Sequence, residues 1–348
     1  MSSGIQTANG KAFEYACVLI LYRELAEMQN VEIVESPQLD TAKRLYSDSK
    51  SEMKDSLISA AYAAIRVIRR LEPQLWNSEE NDILYLSIQS DAAGISGDVR
   101  DVICLRKQNG WQIGFSCKHN HHAVKHSRLS DTIDFGKEWL GIPCSEQYFS
   151  KVVPLFSRLR ILRDESKANG RPMLWDEIEN KAETYYRPVL QAFIDELRRI
   201  GNEYDNNVPQ ALIRYLIGRY DFYKIITDDT NRTTRVEAIN IAGTLNVAAG
   251  AEKAITKVPL LRLPTQFYHI DFKQDSDNTI EVVCDEGWQI SMRIHSASSK
   301  VEPSLKFDVQ LISFPSTVYA QTEPWEIANK GLTKRLNAYK EKTNTECF

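Results

Sequence analysis

Residues 102–130 contain neither aspartate nor glutamate, in a chain that carries 47 acids against 43 lysines and arginines. The same 29 residues hold five Lys/Arg and four of the six histidines, and the acids Asp98 and Asp101 stand just before them. In a protein of net charge −4, this is a local reversal of sign. The net charge excludes a protein that coats nucleic acid by bulk charge, but it leaves open a focused basic cleft, because local fields decide phosphate contact. Other absences narrow the class further. No two of the six cysteines (Cys17, Cys104, Cys117, Cys144, Cys284, Cys347) have C-x-x-C spacing, so reduced, mostly buried thiols are expected. No run approaches the roughly 18 apolar residues of a membrane span, and the N-terminus lacks a basic region followed by an apolar core; the expected location is the cytoplasm. There is no internal repeat and no low-complexity tract.

The chain has ample material for a core. Apolar residues make up 43% of its 348 positions and charged residues 26%, which are ordinary globular values. Its length fits about two domains, or one large core with an elaboration. The spacing of apolar residues predicts a largely buried helix over 10–28, with Glu14 one turn from its start, and a second amphipathic helix over 51–71 that ends on basic residues suited to a C-terminal turn. Three extended segments follow, 83–89, 101–106 and 111–118, and the turn KQNG makes the last two antiparallel neighbours. A helix is expected over 130–140 and a strongly helical stretch over 154–220. After Tyr223 the pattern turns to strands, in RVEAINIAG, QFYHIDFKQ, TIEVVCDEGWQISMRIHSA and SLKFDVQLISF. The expected fold class is α/β: a nuclease core over 8–150 built on a mixed sheet flanked by helices, a helical segment over 151–225, a β-rich segment over 226–325 and a charged tail over 326–348.

The layout of the two antiparallel strands suits metal-assisted cutting of a phosphate backbone. That chemistry needs a divalent cation, and Mg²⁺ asks for few protein carboxylates beside waters and phosphate oxygens. Many nucleases place an acid at the start of one strand and acid-x-Lys on the next, the middle residue lending its carbonyl. Here Asp101 opens one strand, Lys118 ends the next 17 positions later, and the middle carbonyl is that of Cys117. Alternation puts Ser116 and Lys118 on one side and Cys117 in the core. Ser116 stands where the pattern has an acid, and a hydroxyl is a poor anionic ligand. The missing carboxylate is sought at Glu14, Asp98, Asp134 or Glu138. Glu14 is preferred, because a lone acid on an apolar helical face needs a partner and a metal is one; pairing with a buried arginine is the plain alternative. His119, His121, His122 and His126 invite a zinc site, yet no acid lies among them. DNA contact by His119, Asn120, His121, Lys125, His126, Ser127 and Arg128 is the more economical reading, since all suit phosphate oxygens or guanine edges.

The segments GKAFEY, GDVRDVICL, WQIGFSCKHNHHAVKHSRLS and DFGKEWLGIPCSEQYF resemble the family of type II restriction endonucleases typified by HaeIII. The likeness extends through LQAFIDELRRI and LIGRYDFYKI to GWQISMRIHSASS, over residues 8–315. It implies a PD-(D/E)xK nuclease fold and Mg²⁺-dependent cleavage of double-stranded DNA at GGCC, between the central G and C, leaving blunt ends. On this chain Asp101 would bind Mg²⁺, Glu14 or Asp98 would add a ligand, and Lys118 would position or deprotonate the attacking water. Arg293, His295, Ser296 and Lys300 in the β-rich region are further recognition candidates. A palindromic target suggests a homodimer, and a restriction enzyme implies a cognate GGCC methyltransferase. Two other readings stand beside this one: a catalytically inactive sequence-specific DNA-binding protein on a nuclease scaffold, and a structure-specific repair nuclease.

Overall fold

The computed structural model describes residues 3–77, 82–90, 98–119, 127–204 and 207–325. The chain opens with helix α1 (Ser3–Leu25), short strand β1 (Asn30–Ile33), helix α2 (Pro37–Asp48) and helix α3 (Ser51–Leu71). In α3 most residues from Leu57 to Leu71 are buried, including the small Ala60, Ala61, Ala63 and Ala64 beside Leu57, Ile65 and Ile68, so a broad face meets the core, and Arg69 and Arg70 complement the negative helix end. The second helix is set by its start, where Pro37 fits the first turn and the Ser36 hydroxyl accepts the Leu39 N–H at 3.1 Å. Neither α2 nor β1 is evident in the pattern of apolar residues.

Two sheets carry the rest. After the single-turn helix α4 (Pro73–Trp76) come β2 (Ile83–Ile88), β3 (Val102–Arg106) and β4 (Trp111–His119), an antiparallel meander as expected. They join β6 (Phe222–Asp228), β7 (Thr233–Ile239) and β12 (Tyr319–Pro324) in a seven-stranded mixed sheet of order β1-β2-β3-β4-β6-β7-β12. The pairs β1/β2 and β4/β6 are parallel. A second, five-stranded antiparallel sheet has the order β5-β11-β10-β9-β8, from β5 (Arg128–Leu129), β8 (Phe267–Phe272), β9 (Thr279–Cys284), β10 (Gln289–Ser296) and β11 (Leu305–Ser313). Helices α5 (Glu146–Ala168), α6 (Arg187–Glu203) and α7 (Asn207–Ile217) pack with this sheet. One core cluster lies between the seven-stranded sheet and α1 and α3, and the other joins the second sheet to α5–α7.

The two sheets do not divide where the sequence changes character. Residue 150 lies within α5 and residue 225 within β6, and β6, β7 and β12 return to the first sheet. Chain order and sheet membership part company because a strand finds its place by pairing with distant partners, which local periodicity does not record.

The helix expected over 130–140 is a correction. Only Gly136–Leu140 winds, as a single π-helical turn. The apolar residues Phe135, Trp139 and Leu140 that mimic helical spacing are buried in the second core cluster. The Asp134 carboxylate draws the chain into a loop instead, accepting from the N–H groups of Lys137 at 2.9 Å and Cys144 at 3.0 Å. The five cysteines among the described residues are free thiols, and four of them are buried. No helix of the described residues is long and apolar enough to cross a membrane.

Candidate active site

The β3/β4 ladder runs from Arg106 opposite Trp111 to Val102 opposite Phe115 and then stops. At that point Asp101 takes over with its side chain. Its Oδ2 accepts the backbone N–H of Cys117 at 2.7 Å and the ammonium of Lys118 at 3.1 Å. No hydrogen bond among the described residues engages Asp101 Oδ1. The carboxylate is thereby held across the end of β4, beside the Cys117–Lys118 peptide, with both charged side chains 22% exposed. The strand pattern and the structure agree in bringing this acid and this lysine together.

Helix α1 brings Glu14 to the same place. Cys17 packs on Cys117, sulfur to sulfur at 3.8 Å, deep in the core between α1 and β4. Glu14 stands three residues before Cys17 and so shares its helix face. It is 5% exposed, and burial first, then the negative charge of Asp101, push its pKa up to about 8, while Lys11 and Lys118 pull it back. The Lys11 ammonium lies 3.4 Å from Glu14 Oε2. The partner expected in the plain reading, a buried arginine, is replaced by lysines. A buried carboxyl whose proton affinity is raised by a neighbouring carboxylate is one that a cation would relieve.

Lys118 responds in the opposite sense. Burial alone would lower its pKa, but the charge and hydrogen bond of Asp101, with Glu14 behind, more than offset that and hold it above the ordinary lysine range. The neighbouring carboxylates therefore favour its ammonium form.

Asp98, the other candidate ligand, is already engaged by a neighbour. Arg100 grips it as a fork, Nε to Oδ1 at 2.8 Å and Nη2 to Oδ2 at 2.7 Å. Burial would raise the carboxyl, but Arg100 outweighs it and holds Asp98 below the usual carboxylate range. The guanidinium stacks 4.1 Å from the Tyr220 ring and donates to Gln112 Oε1 at 3.3 Å. This strut lies directly over Gly114, where an added Cβ would sit 2.2 Å from Arg100 Cδ. Gly114→Ala is therefore expected to displace Arg100, the neighbour of Asp101. Thermal melting should register a loss of about 1–3 kcal/mol, the usual cost of overpacking, together with slower cleavage.

Asp134 caps the loop described above, and Glu138, in the π-helical turn that follows it, makes no hydrogen bond to the Asp101–Lys118 pair among the described residues. Ser116 is 3% exposed and lies opposite Lys224 in the parallel β4/β6 register. Lys224, in turn opposite Glu237, gives no signal in the sequence; only the β6 topology reveals that it flanks the position of the absent acid. Burial holds its pKa below the ordinary lysine range, and Lys118 adds to that effect.

The expected DNA contacts fall into three groups. Asn120, His121, Lys125 and His126 lie outside the described residues, as does His122 of the zinc reading. His119 and Ser127 are buried: His119 Nε2 lies 3.0 Å from an Asp229 carboxylate oxygen, and Ser127 interacts with Tyr215 beneath the second sheet. Arg128, Arg293 and His295 share the outer face of the second sheet, and Lys300 lies in the connection from β10 to β11.

The residues present fit a hard cation with few protein ligands. Among the described residues no group of three or more His, Cys, Asp or Glu side chains converges, so an all-protein zinc cage is absent there. Asp101, Glu14 and the Cys117 carbonyl instead match the sparse oxygen set that Mg²⁺ accepts.

Comparison with known proteins gives consistent results. The family model of the HaeIII restriction endonuclease matches residues 10–315. The type II restriction enzyme HaeIII of Haemophilus aegyptius is 40% identical over 318 residues, covering 91% of this chain and 98% of that protein. No solved structure matches.

Proposed function

Because the chain belongs to the HaeIII restriction endonuclease family, and is thus a type II site-specific deoxyribonuclease that binds DNA, we propose that it cuts both strands of GGCC between G and C, with Mg²⁺, at Asp101 and Lys118. The observation that carries this reading is the junction of Asp101, Cys117 and Lys118 at the end of the β3/β4 ladder, with Glu14 delivered by α1. On this reading the site is a PD-(D/E)xK core with Glu14 in place of the acid absent at Ser116.

Asp101, Glu14 and the Cys117 carbonyl would hold the cation. When bound, Mg²⁺ supplies positive charge to the scissile phosphate and lowers the pKa of water. The remaining work falls to the chain itself. Lys118 keeps its proton and faces the phosphate as a fixed cation, stabilising the charge that develops on its oxygens. Asp101 aims that ammonium, and the Cys117 N–H fixes Asp101. Orienting the nucleophile and stabilising charge suit a lysine held protonated.

Site selection requires donors to guanine O6 and N7 and acceptors for cytosine N4. Arg293 and Lys300 are the described candidates, with Lys125 and His126 between β4 and β5 in the sequence, while Arg128 and His295 suit contact with the DNA backbone. A palindromic target favours action as a homodimer, and a cognate methyltransferase would protect the host's own GGCC sites. End-sequencing of a cleaved duplex tests the specificity. Blunt ends between G and C at GGCC are expected; cuts at another sequence would refute the assigned site.

A further inference from the structure

The outer face of the five-stranded sheet carries a row of basic side chains that the strand register fixes: two cations, Arg128 and Lys306, and the imidazole of His295, whose pKa burial and the charges of Lys306 and Arg293 hold below the ordinary histidine value. Lys306 on β11 lies directly opposite Arg128 on β5 and directly opposite His295 on β10. Alternation sends all three to the same side, because their neighbours Leu129, Leu305, Phe307 and Ile294 are buried in the core. Like charges placed directly opposite on adjacent strands repel one another. No acid belongs to this row, and the nearest carboxylate along β11, Asp308, is paired with Arg293 at 3.2 Å.

We propose that the Arg128–Lys306–His295 row is a binding site for consecutive phosphates of the DNA backbone, with Lys306 at its centre. The proposal rests on the nuclease reading above and adds to it a surface and a residue, Lys306, that the sequence pattern does not single out.

Four features favour DNA phosphate as the occupant. The row spans three strands, roughly 10 Å across, which is room for neighbouring phosphates spaced about 3.4 Å along the helix axis on one strand. It is rigid: Leu129 anchors β5 in the core, and the Phe307 N–H donates to the Ser127 carbonyl at 2.7 Å. It is also connected to the chemistry, since β5 is the next strand after β4, whose end carries Lys118, and Arg128 closes the acid-free run. Finally, the ring of His295 is oriented by its own backbone. Nδ1 lies 2.8 Å from the Ser296 carbonyl, which can only accept, so Nδ1 carries a proton; Nε2 remains outside that bond and donates to a phosphate oxygen once the ring is protonated, which an adjacent anion favours. Burial first and the charge of Arg128 second hold the Lys306 pKa below the ordinary lysine range, and Asp308 only partly offsets them, so the Arg128–Lys306 repulsion is not cancelled within the sheet. An anion laid along the row would relieve this repulsion.

The test uses the full chain as wild type, Lys306→Gln and Lys306→Arg. Duplex affinity is measured in chelator across a salt series on GGCC and scrambled sequences, and free-protein melting is measured alongside. Each phosphate contact contributes about 0.9 to the slope of log affinity against log salt. Lys306→Gln is expected to lose about one such unit of slope, to weaken binding equally on both duplexes, and to melt no lower than wild type. Lys306→Arg should restore the slope. An unchanged slope in Lys306→Gln, with wild type still cutting DNA, would overturn this proposal alone. Selective weakening on GGCC would also overturn it, since that would mark a base contact. Wild type that neither binds nor cuts would overturn the nuclease reading along with it.

Discussion

Lys118→Ala is expected to lower single-turnover cleavage of a GGCC duplex by roughly 10²–10³-fold, the loss seen when one preorganised charge donor to a transition state is removed. Binding of the uncut duplex in chelator should change by less than about tenfold, or ~1.4 kcal/mol, because one cation is lost from an otherwise intact surface. The reason is geometric. The ammonium lies 3.1 Å from Asp101 Oδ2, and the same oxygen accepts the Cys117 N–H at 2.7 Å, so the lysine is tied through Asp101 to the end of β4. Lys118→Arg keeps the charge but replaces a compact point donor with a planar fork, and only partial recovery is expected. Quench-flow on the two variants beside wild type checks this. A Lys118→Ala rate close to wild type would remove the residue from the mechanism.

Arg106→Leu is expected to cost about 3–5 kcal/mol of stability, because a buried carboxylate would lose its counter-ion. Arg106 closes β3 at the end opposite Asp101 and is 1% exposed. Its guanidinium donates to Asp82 Oδ2 at 2.5 Å, Gln29 Oε1 at 2.6 Å and the Gln74 carbonyl at 2.9 Å. Gln29 follows α1, so this one side chain ties the strand of Asp101 to the helix of Glu14. A fall in melting temperature of roughly 4–7 °C should accompany the loss, and cleavage should weaken with it as Glu14 loses its register against β4. The double variant Arg106→Leu/Asp82→Leu removes the stranded charge and should recover much of the stability. A single variant that melts within about 2 °C of wild type would show that the cluster does not anchor β3.

The candidate catalytic pair is legible in the sequence because it depends on one hairpin. Asp101 and Lys118 lie at the ends of two strands joined by a short turn, so alternation and length alone bring them together. Glu14 is legible for another reason: an acid among Phe13, Tyr15, Ala16 and Cys17 stands out against an apolar helix. What places it, the Cys17–Cys117 contact, is not, since helix-to-sheet docking leaves no periodic trace. Asp98 is less legible, because proximity in sequence to Asp101 says nothing of Arg100, whose side chain folds back two residues to claim both carboxylate oxygens. Lys224 and Lys306 are invisible for a topological reason. Each gains its meaning from a strand partner far away along the chain, Lys224 from Ser116 and Lys306 from Arg128.

On the proposed reading, Ser116 makes the site depend on a helix. With an acid there, the cation would be held by the strand pattern itself; with serine, the second carboxylate would be Glu14, whose pKa burial and Asp101 push up to about 8. Cation binding would then compete with a proton on Glu14. Glu14→Gln should accordingly raise the Mg²⁺ concentration needed for cleavage while leaving DNA binding in chelator close to wild type, which a Mg²⁺ titration beside a gel shift would check.

The most direct test is digestion of a plasmid of known sequence by the purified wild-type protein, with Mg²⁺ and with chelator, and with the fragments sized against the GGCC map. Discrete fragments that end at every GGCC site, only when Mg²⁺ is present, are the expected result. Intact plasmid in Mg²⁺, from protein that still retards the same DNA in a gel, would contradict the nuclease reading and make Ser116 the mark of a site that binds without cutting.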